Sequence, residues 1–284
     1  MTDESGLVIV DKPGGMTSHD VVSRVRRLAG TRKVGHAGTL DPMATGVLVL
    51  GLNRATRLLG HLTLTDKRYD ATVRLGAATT TDDAEGEILE TRATDDLTGE
   101  AVRAALAGFV GEIAQVPSAV SAVKVDGKRA YARVRAGETV DLPPRRVTVH
   151  ALEVTGLDLP DVRISIHCSS GTYVRALARD VGAVLGVGGH LTALRRTAVG
   201  PFDLAAASTL EALTETFALT PIADAARAGF PTLDLDEDQA RAVRVGRRLD
   251  LPLGATTALF APDGEFLALY GPGDGEARAL AVFV

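Results

Sequence analysis

Residues 35 to 46, Gly-His-Ala-Gly-Thr-Leu-Asp-Pro-Met-Ala-Thr-Gly, set one carboxylate, Asp41, in a run of small neighbours. Pro42 biases Asp41 away from the helical region towards an extended or turn geometry. Gly35, Gly38 and Gly46 lack the Cβ atoms that would hold a bulky ligand away from the backbone. A carboxylate presented in this way can act as a nucleophile. Asp-Pro by itself equally marks a turn, or a cap on the apolar run Val47 to Leu50, so the surrounding string has to decide.

Two further blocks carry chemistry. Val162 to Arg175 reads as a strand, a tight turn and the opening of a helix, with Ser170 or Thr172 available as cap. Arg175 would then lie just inside the first turn, against the favourable direction of the helix dipole. That placement suggests a task outside the helix, a surface salt bridge being the plainer alternative. Tyr69 follows Lys67-Arg68 and opens a strand. An aromatic there is commonly core. Aromatics make up only 4% of this chain and tryptophan is absent, so a tyrosine beside basic residues is also a candidate for base stacking.

The elements that must position these residues read as mixed α/β. Leu7 to Val10 predicts a short strand ending at Pro13, and Ser18 to Leu28 a helix with Ser18 as N-cap and Val21, Val22, Val25 and Leu28 on one face. Tyr69 to Leu75, Val147 to Leu157 and Val162 to Cys168 alternate as strands. Leu97 to Phe109, starting near Thr98 or Gly99, and Tyr173 to Leu185, ending at Gly186, read as helices. Pro221 to Pro231 resembles a linker. Beyond it Thr257 to Phe260, Phe266 to Tyr270 and Ala277 to Phe283 suggest a small β-rich module.

A chain of 284 residues, 45% hydrophobic and 24% charged, has room for a substantial core and roughly two domains. Its single cysteine, Cys168, excludes an intramolecular disulfide and fits a reducing cytoplasm. The amino terminus carries no export signal and no apolar run is long enough for a bilayer. A net charge of −5 argues at first against a polyanionic partner, but the charge is unevenly spread. Residues 82 to 100 are acidic (Asp82, Asp83, Glu85, Glu87, Glu90), whereas 117 to 150 concentrate Lys124, Lys128, Arg129, Arg133, Arg135, Arg145 and Arg146. The basic segment, broken by Gly127, Gly137, Pro143 and Pro144, suits an RNA-gripping insertion, and the acidic stretch is expected to face away from RNA.

The Asp41 string, continued to Arg57, resembles the signature of bacterial TruB-type tRNA pseudouridine synthases. The resemblance extends upstream through Asp11 to Asp20, downstream through Lys67-Arg68-Tyr69 and Leu75-Gly76, and to Cys168 through Arg175. It implies an α+β pseudouridine synthase fold, with a central, mostly antiparallel sheet flanked by helices. It implies a catalytic domain over 1–228 and, more weakly, a PUA-like RNA-binding module over 229–284. It also implies that Asp41 is the nucleophile, that Arg175 ion-pairs with Asp41, and that Tyr69 stacks on the target uracil and takes part in proton transfer. Tyr173 and Leu194 match positions contacting the flipped nucleotide, and His36 one that packs into the disrupted RNA loop. Lys12 and Arg129 are expected to contact substrate. The implied partner is the T stem-loop of tRNA, modified at position 55 by a cytoplasmic, stand-alone, monomeric enzyme. Residues after about 230 depart from the pattern in their acidity (Asp234, Asp236, Glu237, Asp238), and either touch the acceptor stem or only stabilise the fold.

The reaction class fits one carboxylate. Converting uridine to pseudouridine breaks N1–C1′ and joins C5 to C1′. Nothing is oxidised and no group is imported, so no cofactor is required. Attack at C6, attack at C1′ and a glycal route all remain open to an aspartate. The base must leave the stack, at about a few kcal/mol, less in a loop than in a duplex. The scattered histidines show no zinc-ligand spacing, so no metal is expected. No Walker, dinucleotide-binding or Gly-x-Ser-x-Gly string occurs. A glycoside hydrolase or base-exchange transglycosylase would also use a carboxylate, but a hydrolase would usually need a second one as acid. A pure RNA-binding or RNA-folding role is the other rival, distinguished by whether Asp41 is needed.

Overall fold

The computed structural model describes residues 4–118, 124–125, 128–129, 142–273 and 275–284. In chain order its main elements are β1 (Gly6–Lys12), α1 (Ser18–Ala29), β2 (Val34–Ala37), β3 (Thr45–Leu52), β4 (Lys67–Leu75), α2 (Gly99–Ala107), β5 (Gly111–Gln115), β6 (Arg145–Asp158), β7 (Asp161–Cys168), α3 (Val174–Val184), β8 (Gly189–Val199), α4 (Ile222–Gly229), α5 (Glu237–Arg244), β9 (Thr257–Phe260), β10 (Phe266–Gly271) and β11 (Arg278–Val282). The chain divides into two compact units: residues 1–42, 46–63 and 198–284, and residues 43–45 and 64–197. The expected α+β class with mostly antiparallel sheets is what is found. Among the described residues no helix is long and apolar enough to cross a membrane.

In the first unit β1 lies between Thr220–Pro221 and β3, antiparallel to both, and β2 pairs with β3. Leu7 to Val10 are all buried, as an uninterrupted apolar run requires when both faces of a strand are covered. Leu7, Ile9, Val47 and Val49 share one core with Phe260 of β9, Phe266 of β10 and Phe283 just beyond β11. Fully burying each such side chain stabilises by about 1.5–3 kcal/mol. The other face of the carboxy-terminal sheet packs Leu259, Leu267 and Tyr270 on Ala240 and Val243 of α5. The β-rich ending read from the sequence is therefore a four-stranded sheet, Thr232–Asp234 and β9 to β11.

Two local readings need correction. Thr17, not Ser18, is the N-cap of α1: its side chain accepts from the Asp20 amide while the Asp20 carboxylate accepts from the Thr17 amide. Residues 222–229 are a helix, not a linker. Pro221 opens it, Gly229 lies at its end, and Ala225 and Ala226 are buried.

In the second unit β8, β4, β7, β6 and β5 are neighbours in that order. The β4 residues alternate strictly: Lys67, Tyr69, Ala71, Val73 and Leu75 are buried, with Arg68, Asp70 and Arg74 on the opposite face. Cys168, at the end of β7, is fully buried, and burial pushes its thiol up to about 11. Cys168 is therefore expected to resist iodoacetamide in the native protein at pH 8 and to be alkylated at once in denaturant, as intact-mass measurement would show. Rapid labelling of the folded chain would contradict this burial.

Candidate active site

The Asp41 turn is pinned from both sides. Ser18, buried at the start of α1, places its Oγ on Leu40, donating to the carbonyl at 3.0 Å and accepting from the amide at 2.8 Å. The carbonyl of Pro42 accepts from the Gly15 amide at 2.9 Å and from the Lys12 ammonium at 3.2 Å. Lys12 is itself fully buried and also donates to the carbonyls of Pro13 and Met16, at 2.8 and 2.6 Å. Its charge is thus held on backbone oxygens around the turn. Asp41 is left half-buried between two fixed residues.

Gly38 and Gly46 take φ of 85° and 97°, a backbone that L side chains rarely adopt, so both shape the turn. At Gly35, on β2, a Cβ would come within 3.1 Å of Leu59 Cδ1, a tight contact with a neighbouring side chain. His36 is half-buried on β2, opposite Leu50.

In the second unit Tyr69 lies on the buried face of β4 opposite Ile166, two positions from Lys67 on the same face. Burial, and secondarily the Arg196 charge, lower the Lys67 pKa from 10.5 to about 8. Below about pH 8 the folded chain keeps a partly desolvated ammonium that the unfolded chain would hydrate freely. Between about 8 and 10.5 the unfolded state binds more protons, so stability rises with pH by up to about 3 kcal/mol, less whatever solvent screening removes. Urea midpoints are expected to rise across this window and to flatten in Lys67→Met. An unchanged slope in the variant would show that another group is responsible.

Arg175, in the first turn of α3, is buried, and Nη1 donates to the Thr81 carbonyl at 2.9 Å and to Asp83 Oδ2 at 3.2 Å. The two side chains are 7% and 3% exposed, which makes this a buried ion pair and not a surface one. The other Asp83 oxygen accepts from Thr81 Oγ1 at 2.5 Å and from the Glu85 amide at 3.1 Å. Asp82, at φ 61°, pairs with Arg179 at 3.2 Å. The first two residues of the acidic stretch, read as facing away from RNA, are therefore buried and hold arginines of α3.

Helix α3 has Tyr173 as N-cap, and neither Ser170 nor Thr172 caps it. The buried amide of Gln115 replaces a cap: Oε1 accepts from the Tyr173 amide at 2.8 Å and Nε2 donates to its carbonyl at 3.0 Å. Nothing local in the sequence distinguishes Asp83 or Gln115 from neighbouring polar residues as a partner of α3. Leu194 lines a cleft of about 570 Å³ whose wall also includes Met43, Thr45, Asp70, Thr72 and Arg163. Of the β4 residues in its lining, Asp70 and Thr72 are on the face opposite Tyr69 and Ala71 is on Tyr69's own face. The backbone of Arg129 pairs with Lys124, while its side chain, like most of the basic insertion, lies outside the described residues.

A sequence profile described as "TruB family pseudouridylate synthase (N terminal domain)" matches residues 26–174. Profiles for a tRNA pseudouridylate synthase B C-terminal domain and a tRNA pseudouridine synthase II C-terminal region match 175–227 and 230–284. Proteins named tRNA pseudouridine synthase B from Cutibacterium acnes and Thermobifida fusca are 59% and 58% identical, over 100% and 98% of this chain and 99% and 98% of their own length. A Cbf5-Nop10-Gar1 complex contains a chain of similar structure, with TM-score 0.77 and 26% identity over 98% of this chain and 85% of that one. An H/ACA RNP bound to a substrate RNA containing 2'-deoxyuridine contains another, with TM-score 0.75 and 25% identity over the same shares. A turn that fixes an aspartate, an arginine held in a buried ion pair and full-length similarity to these proteins lead to one conclusion: the chain belongs to the TruB family of pseudouridylate synthases.

Proposed function

We propose that this chain isomerises uridine to pseudouridine in tRNA, at position 55 of the T-loop, with Asp41 as the nucleophile on a flipped-out base. The observation that carries the reading is the Asp41 turn, clamped at Leu40 by Ser18 and at Pro42 by Lys12, within a chain 59% identical to a tRNA pseudouridine synthase B. A nucleophile fixed at both neighbours approaches one target atom with little reorganisation. N1–C1′ breaks, the uracil turns, C5 bonds to C1′, the C5 hydrogen leaves as a proton and N1 takes one up, so the net change is an isomerisation. Arg175, oriented by Asp83, keeps the Asp41 carboxylate ionised; Tyr69 stacks on the uracil and moves a proton. Tyr173 and Leu194 contact the flipped nucleotide, and His36 and Arg129 contact the surrounding RNA. Lys12 acts through the turn, since its buried ammonium is already engaged by carbonyls.

In this reading residues 1–228 carry the chemistry and 229–284 form a PUA-like segment that assists RNA binding, in a monomeric cytoplasmic enzyme. The test is tritium release from T-arm transcripts carrying 5-tritiated uridine, with the target uridine present or replaced by cytidine. Release only when the target uridine is present is expected. Equal release from both transcripts would move the site elsewhere in tRNA, and no release from any tRNA would leave a binding role.

A further inference from the structure

Three side chains on or next to β4, β6 and β7 converge although their spacing in the chain gives no hint of it. Asp66 immediately precedes β4, His150 lies in β6 and His167 in β7. The His150 and His167 Nε2 atoms lie 3.3 and 3.4 Å from the same oxygen, Asp66 Oδ2. Their ring centroids are 4.8 Å apart. A local irregularity brings this about. Cys168 is opposite Val149 and His167 opposite Ala151, so His150 is the extra residue of a β-bulge. In a regular strand His150 would turn to the face opposite Ala151 and His167; the bulge re-aims it to theirs.

We propose that Asp66, His150 and His167 form a surface site for a divalent transition-metal ion of the zinc type, bound through both Nε2 atoms and Asp66 Oδ2 with water completing the shell. Two imidazoles and one carboxylate are an established donor set for such ions. Metal–ligand bonds of about 2.0–2.1 Å place tetrahedral ligand atoms about 3.3 Å apart. Both carboxylate–imidazole separations already have that length, and the three donor atoms lie within 4.8 Å of one another. Only the His150–His167 edge has to close, by side-chain rotation. Side-chain exposures of 37%, 47% and 35% for His150, Asp66 and His167 leave the site open to an ion and to water. The site lies on the side of β4 away from Tyr69, because Arg68, His167's cross-strand partner, alternates with the buried Lys67 and Tyr69. The bound ion would clamp three adjacent strands and take no part in the isomerisation. Arg68, a cation on that face, opposes binding, so a Kd on the order of 10⁻⁶ to 10⁻⁵ M is expected, well above that of a closed structural zinc site.

The full-length protein, stripped with chelator and dialysed, would be titrated with Zn²⁺ by calorimetry and with Co²⁺ by visible absorption. One ion per chain is expected, with the ligand-field bands of low-coordinate Co²⁺ and a melting temperature raised by several degrees at saturating Zn²⁺. Asp66→Asn, His150→Ala and His167→Ala should each weaken binding at least tenfold. His167→Gln, closer in size, replaces any alanine variant whose metal-free melting temperature falls. Wild-type binding weaker than about 1 mM, or affinity unchanged in the His150→Ala/His167→Ala double variant, would overturn the proposal and leave a hydrogen-bonded His-Asp-His cluster.

Discussion

Asp41→Asn is expected to lower single-turnover pseudouridine formation by about 10⁴-fold or more, the scale seen when a group essential to bond making is removed. Affinity for tRNA should stay within a few-fold. The amide is isosteric, so the turn keeps its anchors: the Ser18 hydroxyl on Leu40 and the Lys12 and Gly15 donors on the Pro42 carbonyl touch only backbone. What is lost is the negative charge and with it nucleophilicity. Rapid-quench tritium release and filter binding on the same transcript separate the two quantities. A variant within tenfold of wild type in the chemical step would exclude Asp41 as nucleophile, however well it bound.

Asp83→Ala is expected to have the largest effect on stability. It removes one partner of a pair whose side chains are 7% and 3% exposed, leaving the Arg175 guanidinium buried without its carboxylate. Uncompensated burial of this kind costs about 3–5 kcal/mol, a fall of roughly 10 °C in melting temperature for a domain of this size. The Thr81 hydroxyl and the Glu85 amide lose their acceptor at the same time. Turnover should fall as well, by about 10²-fold, because an arginine displaced by an ångström no longer presents its fork correctly. Arg175→Lys should reproduce much of the catalytic loss with a smaller stability loss, since the charge persists but the planar donor geometry does not. Thermal denaturation beside kcat and KM at a temperature where both variants are folded checks this. If Asp83→Ala melted like wild type, the pair would contribute no net stability.

What the sequence alone determined was whatever depends on neighbours a few residues apart. The positive φ at Gly38 and Gly46 beside Asp41, the period-2 alternation of β4, the buried run of β1 and the glycine ending of α3 are such cases, and the structure agrees with each. Errors arose where two local rules competed. Thr17 and Ser18 are both good caps, and Asp20, three positions after Thr17, completes the box that selects the former and leaves Ser18 to hold Leu40. Pro221 and Gly229 punctuate a linker as well as a helix, and the burial of Ala225 and Ala226 decides for the helix. Only the tertiary structure decided the long-range partners. Asp83 and Arg175 stand 92 positions apart and Gln115 and Tyr173 stand 58 apart. Asp66, His150 and His167 meet only because strand register and one bulge bring them to a single face. Such meetings depend on how sheets pair and where chains cross, which no local periodicity encodes. Family membership is thus legible in the motifs, while the buried partners that hold Arg175 and the backbone of Tyr173 in place are properties of the fold.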